Sequence, residues 1–212
     1  MTRQKDVFLA SEGDAWARRN EAALAQRDWS SDPLARHALG LQTPAQSRVL
    51  EIGCGEGARL QYLASQRQWE IFGIDPSQHA VDRALERGVR AARSTADVLP
   101  YDDHAFDVVM FGFCLYLCDD DDLLQIAAEA DRVLAAPGWL LILDFEARAP
   151  TYRAYHHFSG LHSRKMDYKS MFLWHPSYTL ASHEKFHHAS HEWTDDADEW
   201  VSVATLRKQR TR

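Results

Sequence analysis

The chain has 212 residues, 45% of them hydrophobic and 26% charged, which is enough apolar content for one globular domain with a sizeable core. A formal net charge of -7 argues against a nucleic-acid backbone as partner, since a surface built to neutralise phosphates carries an excess of Lys and Arg. Three cysteines, an odd number, suit a reducing compartment better than a disulfide framework, and no run of about 20 apolar residues marks a membrane partner.

Met1 to Asp14 carries no apolar run of the kind a signal peptide needs, so a cytoplasmic location is expected. Ser11 is a candidate N-cap for a helix that runs through Gln26 and carries Trp16 and Arg19. The run Val49-Leu50-Glu51-Ile52-Gly53-Cys54-Gly55-Glu56-Gly57 joins a strand buried on both faces to a glycine turn, with a carboxylate at the junction. Ala58 to Gln66 follows as a helix with Leu60, Leu63 and Ala64 on one face. Ile71 to Asp75 is a short apolar strand ending in a carboxylate, followed by Pro76 and a helix over Ser77 to Arg87.

Farther along, Asp97 and Val98 sit in the segment Ser94 to Tyr101, and Phe106 to Phe111 is a buried fourth strand followed by Gly112 and Phe113. Asp119 to Leu134 reads as a helix begun on four aspartates, which complement the helix macrodipole, and Ala136-Pro137-Gly138 closes it. Gly138 to Phe145 is then a fifth strand. Strands alternating with helices imply an α/β fold with a doubly wound, mostly parallel sheet, and ligand at the carboxyl ends of the strands. Glu51, Asp75, Asp97 and Gly112 all fall at such ends.

A glycine turn after a strand serves either a dinucleotide pyrophosphate or a nucleoside bearing an amino-acid tail. The dinucleotide fingerprint is G-x-G-x-x-G with no negative charge at the helix N-terminus, whereas here Glu51 precedes the turn and Glu56 lies within it. Two carboxylates repel a pyrophosphate and attract a sulfonium and an ammonium. The run resembles motif I of class I S-adenosylmethionine-dependent methyltransferases. The resemblance extends from Arg48 to Phe145 through Ile71 to Asp75, Ala96-Asp97-Val98-Leu99-Pro100-Tyr101 and Phe106-Asp107-Val108-Val109, in the family's order.

That resemblance implies S-adenosyl-L-methionine as cofactor and a Rossmann-like, seven-stranded sheet closed by a reversed hairpin, with the last strand antiparallel. It implies a cofactor turn made by Glu51, Gly53, Cys54 and Gly55, with Asp75 and Pro76 at the ribose diol. Asp97 would accept from the adenine amino group, the Val98 backbone N–H would meet a ring nitrogen, and Gly112 and Phe113 would reach the methionine amino group. Trp16 and Arg19 would be contacts from a lid helix. Asp75→Ala and Gly53→Arg are accordingly expected to weaken cofactor binding in a folded protein. Nucleic-acid amino-methyltransferases carry an Asn/Asp-Pro-Pro-aromatic run after the fourth strand; Gly112-Phe113-Cys114-Leu115 stands there instead, so base methylation is not expected.

The segment Arg148 to Tyr178 is crowded with Tyr, His, Lys, Met and Trp and is expected to shape the acceptor pocket. Tyr152, His156 and His157 are the candidate catalytic groups, because a neutral imidazole near pH 7 can take the proton of a hydroxyl acceptor. Eight of the eleven histidines lie between His156 and His191. His183, His187, His188 and His191 read as a sixth strand whose alternation sends side chains to opposite faces, without an H-x-x-x-H helix or Cys partner, so no metal is expected. Trp200 to Leu206 is a seventh strand, and Arg207 to Arg212 a frayed, solvated end.

The expected division is a helical lid (1–45), a cofactor-binding core (46–147), a substrate-pocket insertion (148–180) and a terminal hairpin (181–212). The expected activity is transfer of a methyl group to an O or N atom of a small-molecule acceptor, with a sugar or other hydroxylated metabolite favoured. The alternative is a non-catalytic cofactor-binding subunit that stabilises another methyltransferase, and a nicotinamide-dependent oxidoreductase is disfavoured by Glu51 and Glu56.

Overall fold

In the computed structural model, which describes residues 3–210, the apolar runs become the strands of one central sheet. Strands β1 (Arg48–Ile52), β2 (Glu70–Asp75), β3 (Arg90–Arg93), β4 (Phe106–Gly112) and β5 (Leu134–Phe145) pair in parallel. A two-stranded antiparallel ribbon, β6 (Thr151–Ala154) with β7 (His162–Lys165), stands apart from them. Strands β8 (Tyr178–His187) and β9 (Trp200–Lys208) return as a hairpin, with β9 antiparallel to β5. The resulting order, β3-β2-β1-β4-β5-β9-β8, is the doubly wound sheet with a reversed hairpin that the sequence led us to expect.

Period-2 alternation explains why the sheet is buried on both faces. Leu50, Ile52, Val109, Phe111, Leu140 and Ile142 point into one core cluster, while Val49, Val108, Met110, Leu141 and Leu143 point into the other. Helix α3 (Pro33–Leu39), capped by the Asp32 side chain on Ala35 N, covers the second face together with α4 (Ala58–Gln66) and α5 (Gln78–Glu86). Helices α6 (Leu123–Val133) and α7 (Ser170–Leu173) cover the first. The chain winds from β1 toward β3 on one side and from β4 toward β5 on the other, so the connections part between β1 and β4. A crevice opens at that switch point, outside the carboxyl ends of the strands.

Several boundaries differ from the sequence expectation. The N-terminal helix is not begun by Ser11: α1 (Gln4–Val7), a π-helical stretch over Phe8–Glu12 and α2 (Gly13–Ala25) follow one another without a break. Val7 and Phe8 pack against Leu161, so an apolar anchor ahead of Ser11 draws the helix outward, and Ser11 remains exposed. The aspartate run forms a 3-10 turn over Asp120–Asp122 before α6, and β5 begins at Leu134 rather than Gly138. His188 and His191 lie beyond the end of β8, in the connection to β9, instead of on the strand. Arg207 and Lys208 belong to β9, and Arg210 Nε donates to Ala136 O at 2.9 Å; Thr211 and Arg212 lie outside the described residues. Among the described residues, no helix is long and apolar enough to cross a membrane.

Phe106 is fully buried, with its ring 5.2 Å from that of Phe72 and 4.9 Å from that of Tyr101. Phe106→Ala should therefore cost about 3–5 kcal/mol, read as a lower urea midpoint at unchanged m-value.

Candidate functional site

A cavity of about 1350 Å³ occupies the crevice between β1 and β4. Ligand pockets commonly measure about 300–1,000 Å³, so this one has room for two ligands side by side. Its floor is the glycine turn. Gly53 N and Cys54 N donate to Ile74 O at 2.9 and 3.0 Å, which ties the turn to the end of β2. Gly55, at φ +52°, donates its N–H to Asp75 Oδ2 at 2.9 Å, and a Cβ placed on it would meet nothing within 4 Å. The turn thus offers bare backbone to whatever enters.

Glu51 sits at the end of β1 and is buried, with one carboxylate oxygen on Arg59 Nη1 and the other, Oε2, without a hydrogen-bond partner. Burial pushes its carboxyl up to about 7, against the nearby Arg59 guanidinium. Asp75 accepts from Gly55 N and, through Oδ1, from Ser77 N at 2.9 Å; burial outweighs these bonds and raises its carboxyl to about 6. Asp97 differs: burial opposes ionisation, but hydrogen bonds from Lys5 and Thr95 and the charge of Lys5 hold its carboxyl below the usual range. The cavity floor therefore holds two acids poised near neutral pH and one firmly ionised.

The sequence-selected residues separate into two groups. Glu51, Gly53, Cys54, Gly55, Asp75 and Pro76 line the cavity on its β1 and β2 side, and Trp16, Asp97, Gly112 and Phe113 line the remainder. Val98 does not: it is 62% exposed, and its N–H donates to Thr95 O at 3.2 Å. Arg19 pairs with Glu12 and donates to Tyr155 Oη at 3.1 Å, clamping α2 to the β6–β7 connection rather than facing the cavity. His156 and His157 are exposed in that same connection, and Tyr152 donates its hydroxyl to Asp120 Oδ2 on an exposed face. None of these three catalytic candidates lines the cavity, because the ribbon carries them outward.

Other residues stand in their place. Tyr116, Phe145, Asn20, His188 and His191 join Trp16 around the outer half of the cavity. His188 Nδ1 lies 2.7 Å from Glu199 Oε2. The carboxylate stands beside Nδ1 and leaves Nε2 unengaged by it. Asp144, at the end of β5, accepts from Leu115 N at 2.8 Å and from Tyr116 N at 3.3 Å, so it sets the loop that carries Tyr116; burial raises its carboxyl to about 7. Strand alternation placed His188 on a sheet face, and only the end of β8 at His187 reveals that it leaves the strand and stands, still exposed, at the edge of the cavity.

Arg59 was also missed. Its Nε donates to Asp32 Oδ1 at 2.9 Å while Nη1 holds Glu51, and Arg27 Nη2 reaches Asp32 Oδ2 at 2.7 Å. Gly112 is fitted to this cluster, since a Cβ there would lie 2.7 Å from Glu51 Oε1 and closer still to Arg59 Nη1. Gly53 is similarly hemmed in, at φ +74° with Cys114 Cβ 2.5 Å from where its Cβ would stand. Gly53→Arg would disturb packing as well as binding, contrary to the expectation that it leaves the fold intact.

Residues 49–138 match the family model described as "Methyltransferase domain". An uncharacterized protein of Mycobacterium tuberculosis is 33% identical over 128 residues, which is 57% of this chain and 42% of that protein. The 27-O-demethylrifamycin SV methyltransferase of Amycolatopsis mediterranei is 33% identical over 109 residues, 48% of this chain and 39% of that protein. The chain thus spans about two fifths of the length of the curated relatives it matches. Among solved structures, the Burkholderia thailandensis 1,6-didemethyltoxoflavin-N1-methyltransferase, with its substrate and S-adenosylhomocysteine bound, superposes at TM-score 0.73 with 16% identity, covering 99% of this chain and 92% of that one.

Removing Arg59 strands the buried Glu51 carboxylate and leaves Asp32 with Arg27 and Ala35 N alone, so Arg59→Met should destabilise the protein by roughly 3–5 kcal/mol, measurable by chemical denaturation. Glu51, Asp75 and Asp144 hold their protons more tightly in the folded chain than in the unfolded one. Through these three groups the folded state binds more protons between about pH 5 and pH 7, above the range where the depressed carboxyls such as Glu146 titrate, and loses stability as pH rises through that window. Thermal melting of the ligand-free protein should show a lower Tm at pH 7.5 than at pH 5.5.

Proposed function

From its methyltransferase domain, on the Rossmann-like fold of the class I S-adenosylmethionine-dependent enzymes, we propose that the protein binds S-adenosyl-L-methionine and methylates an O or N atom of a small molecule. The observation that carries this reading is the acidic glycine turn: the unpartnered, buried Glu51 Oε2 beside Gly55, where backbone is open to a ligand. A cationic amino-acid tail satisfies that oxygen, whereas a pyrophosphate is repelled by it.

Asp75, at the end of β2, suits a ribose diol, since each carboxylate oxygen has lone-pair capacity beyond the backbone N–H it already accepts. Asp97 suits an exocyclic amino group, with Lys5 sharing its carboxylate. Gly112 and Phe113 close the cavity toward Glu51. When bound, the cofactor supplies a methyl group already activated by the sulfonium charge. The protein's work is then to orient the acceptor in line with that methyl and to exclude water.

The outer half of the cavity offers Trp16, Tyr116, Phe113 and Phe145 as apolar and aromatic walls, with Asn20 and His188 as polar groups. A small acceptor with a flat or apolar body and a hydroxyl or amine fits these walls, and hydroxylated metabolites remain the favoured class. A hydroxyl acceptor gives up its proton as the new bond to carbon forms, and His188 Nε2, oriented by Glu199, is the group suited to take it. His188 thereby takes the role first assigned to Tyr152, His156 and His157.

Calorimetric titration tests the cofactor half: S-adenosylmethionine and S-adenosylhomocysteine should bind with NAD inert, and Asp75→Asn should weaken both by roughly 10- to 100-fold. Binding of NAD alone would reject the reading. Methylation of a hydroxyl acceptor found by screening should fall by roughly two to four orders of magnitude in His188→Ala at unchanged cofactor affinity.

A further inference from the structure

On the outer wall of the glycine turn, Glu21 on α2, Glu56 in the turn and His79 at the start of α5 each bring one ligand atom to within 4.8 Å of the others. Glu56 is only 6% exposed. Its Oε2 accepts from Arg87 Nη2 at 3.1 Å, yet its Oε1 is buried with no hydrogen-bond partner. His79 Nε2 is likewise buried and unbonded. Buried carboxylate oxygens and ring nitrogens are satisfied in nearly all folded proteins. Two residues of one such cluster each keep an unsatisfied buried atom, with a second carboxylate in the same group, and a cation among them would satisfy both.

We propose that Glu21, Glu56 and His79 form a binding site for a divalent transition-metal ion. One imidazole nitrogen with two carboxylate oxygens suits Zn²⁺ and its neighbours rather than Mg²⁺ or Ca²⁺, which prefer all-oxygen sets. Arg87 holds one oxygen of Glu56 and leaves the other without a partner, as outer-shell partners orient ligands around metals. The surrounding backbone is braced in the same sense. Asp14 Oδ1 accepts from Ser77 Oγ at 2.6 Å and from His79 N at 3.1 Å, docking α2 on the start of α5. Glu21 follows Asp14 by seven positions, two helical turns along the same face.

The other imidazole–carboxylate grouping, His187, His188 and Glu199, lacks these features. Its side chains are 31%, 48% and 37% exposed, and its nitrogens already face the Glu199 carboxylate. The Glu21–Glu56–His79 site joins three elements of different parts of the chain: α2, the glycine turn and α5. An ion there pins α2 down beside the cavity, because Glu56 itself lines that cavity. The proposal stands independently of methyl transfer.

The test uses the full chain carrying His187→Ala and His188→Ala, which removes the competing imidazoles, with Zn²⁺ titrated by calorimetry and Co²⁺ by visible absorption. One equivalent of each is expected to bind, with d–d bands typical of nitrogen and oxygen ligation and no thiolate charge-transfer band. Affinity should fall at least about tenfold in His79→Ala and separately in Glu21→Gln, with unchanged melting of both variants in chelator. Should His79→Ala fail to fold, Glu21→Gln, on a partly exposed helix position, decides alone. No saturable binding, or binding equal in parent and variants, overturns the proposal, and a thiolate band would assign the ion to the cysteines instead.

Discussion

The buried triad of Glu51, Arg59 and Asp32 is the interaction on which the site depends. Arg59 comes from α4, Glu51 from the end of β1, and Asp32 from the residue that caps α3. Three elements on one side of the sheet are thereby locked to a single guanidinium. Burying such charges costs several kcal/mol per ion, repaid only when geometry and hydrogen bonds are nearly complete. Arg27 supplies a further bond to Asp32, and both arginines lie beside the Trp29 ring, at 5.1 and 5.4 Å from its centroid. The arrangement leaves one oxygen of Glu51 uncommitted, and that incompleteness makes the cluster receptive instead of merely structural.

The N-terminal helix is the second half of the same construction. Its first turn is fastened by ion pairs of Arg3 with Asp122 and Lys5 with Asp97, and by Gln4 N on Asp119 Oδ2 at 2.8 Å. Its far end is held by Asp14 against α5 and by Arg19 and Tyr155 on Glu12. Between these fastenings lies a π-helical stretch, and Gly13 follows it where a Cβ would come within 3.1 Å of Ser77 N. Wider turns of this kind recur at functional sites because they re-aim side chains without ending the helix. Here the stretch precedes Trp16, which reaches the cavity.

The sheet and the acidic turn were legible in the sequence because each depends on local pattern. Continuous apolar runs, buried on both faces, make β1, β4 and β5, and a carboxylate at the carboxyl end of a strand faces the switch point wherever the sheet is doubly wound. The acceptor side was not legible. His156 and His157 are attractive by residue type, but a two-stranded ribbon that no strong hydrophobic pattern announces turns them to solvent. His188 reaches the edge of the cavity only because β8 stops one residue before it. Arg59 sits in a helix whose apolar stripe gave no hint that an arginine was buried, since its partners lie 8 and 27 positions away in the chain. Ion clusters assembled from distant segments have no sequence period.

The fastening of residues 3 to 5 has a practical side. Lys5, Asp119 and Asp122 line the cavity, so the ion pairs that hold residues 3 to 5 are part of its wall. The opposite end of the described chain is different: Lys208 is tied to Asp131 and Leu134, and Gln209 N donates to Ser177 O, all at the far edge of the core. Affinity tags and reporter fusions are better placed there, away from the pairs that Arg3 and Lys5 make with Asp97 and Asp122.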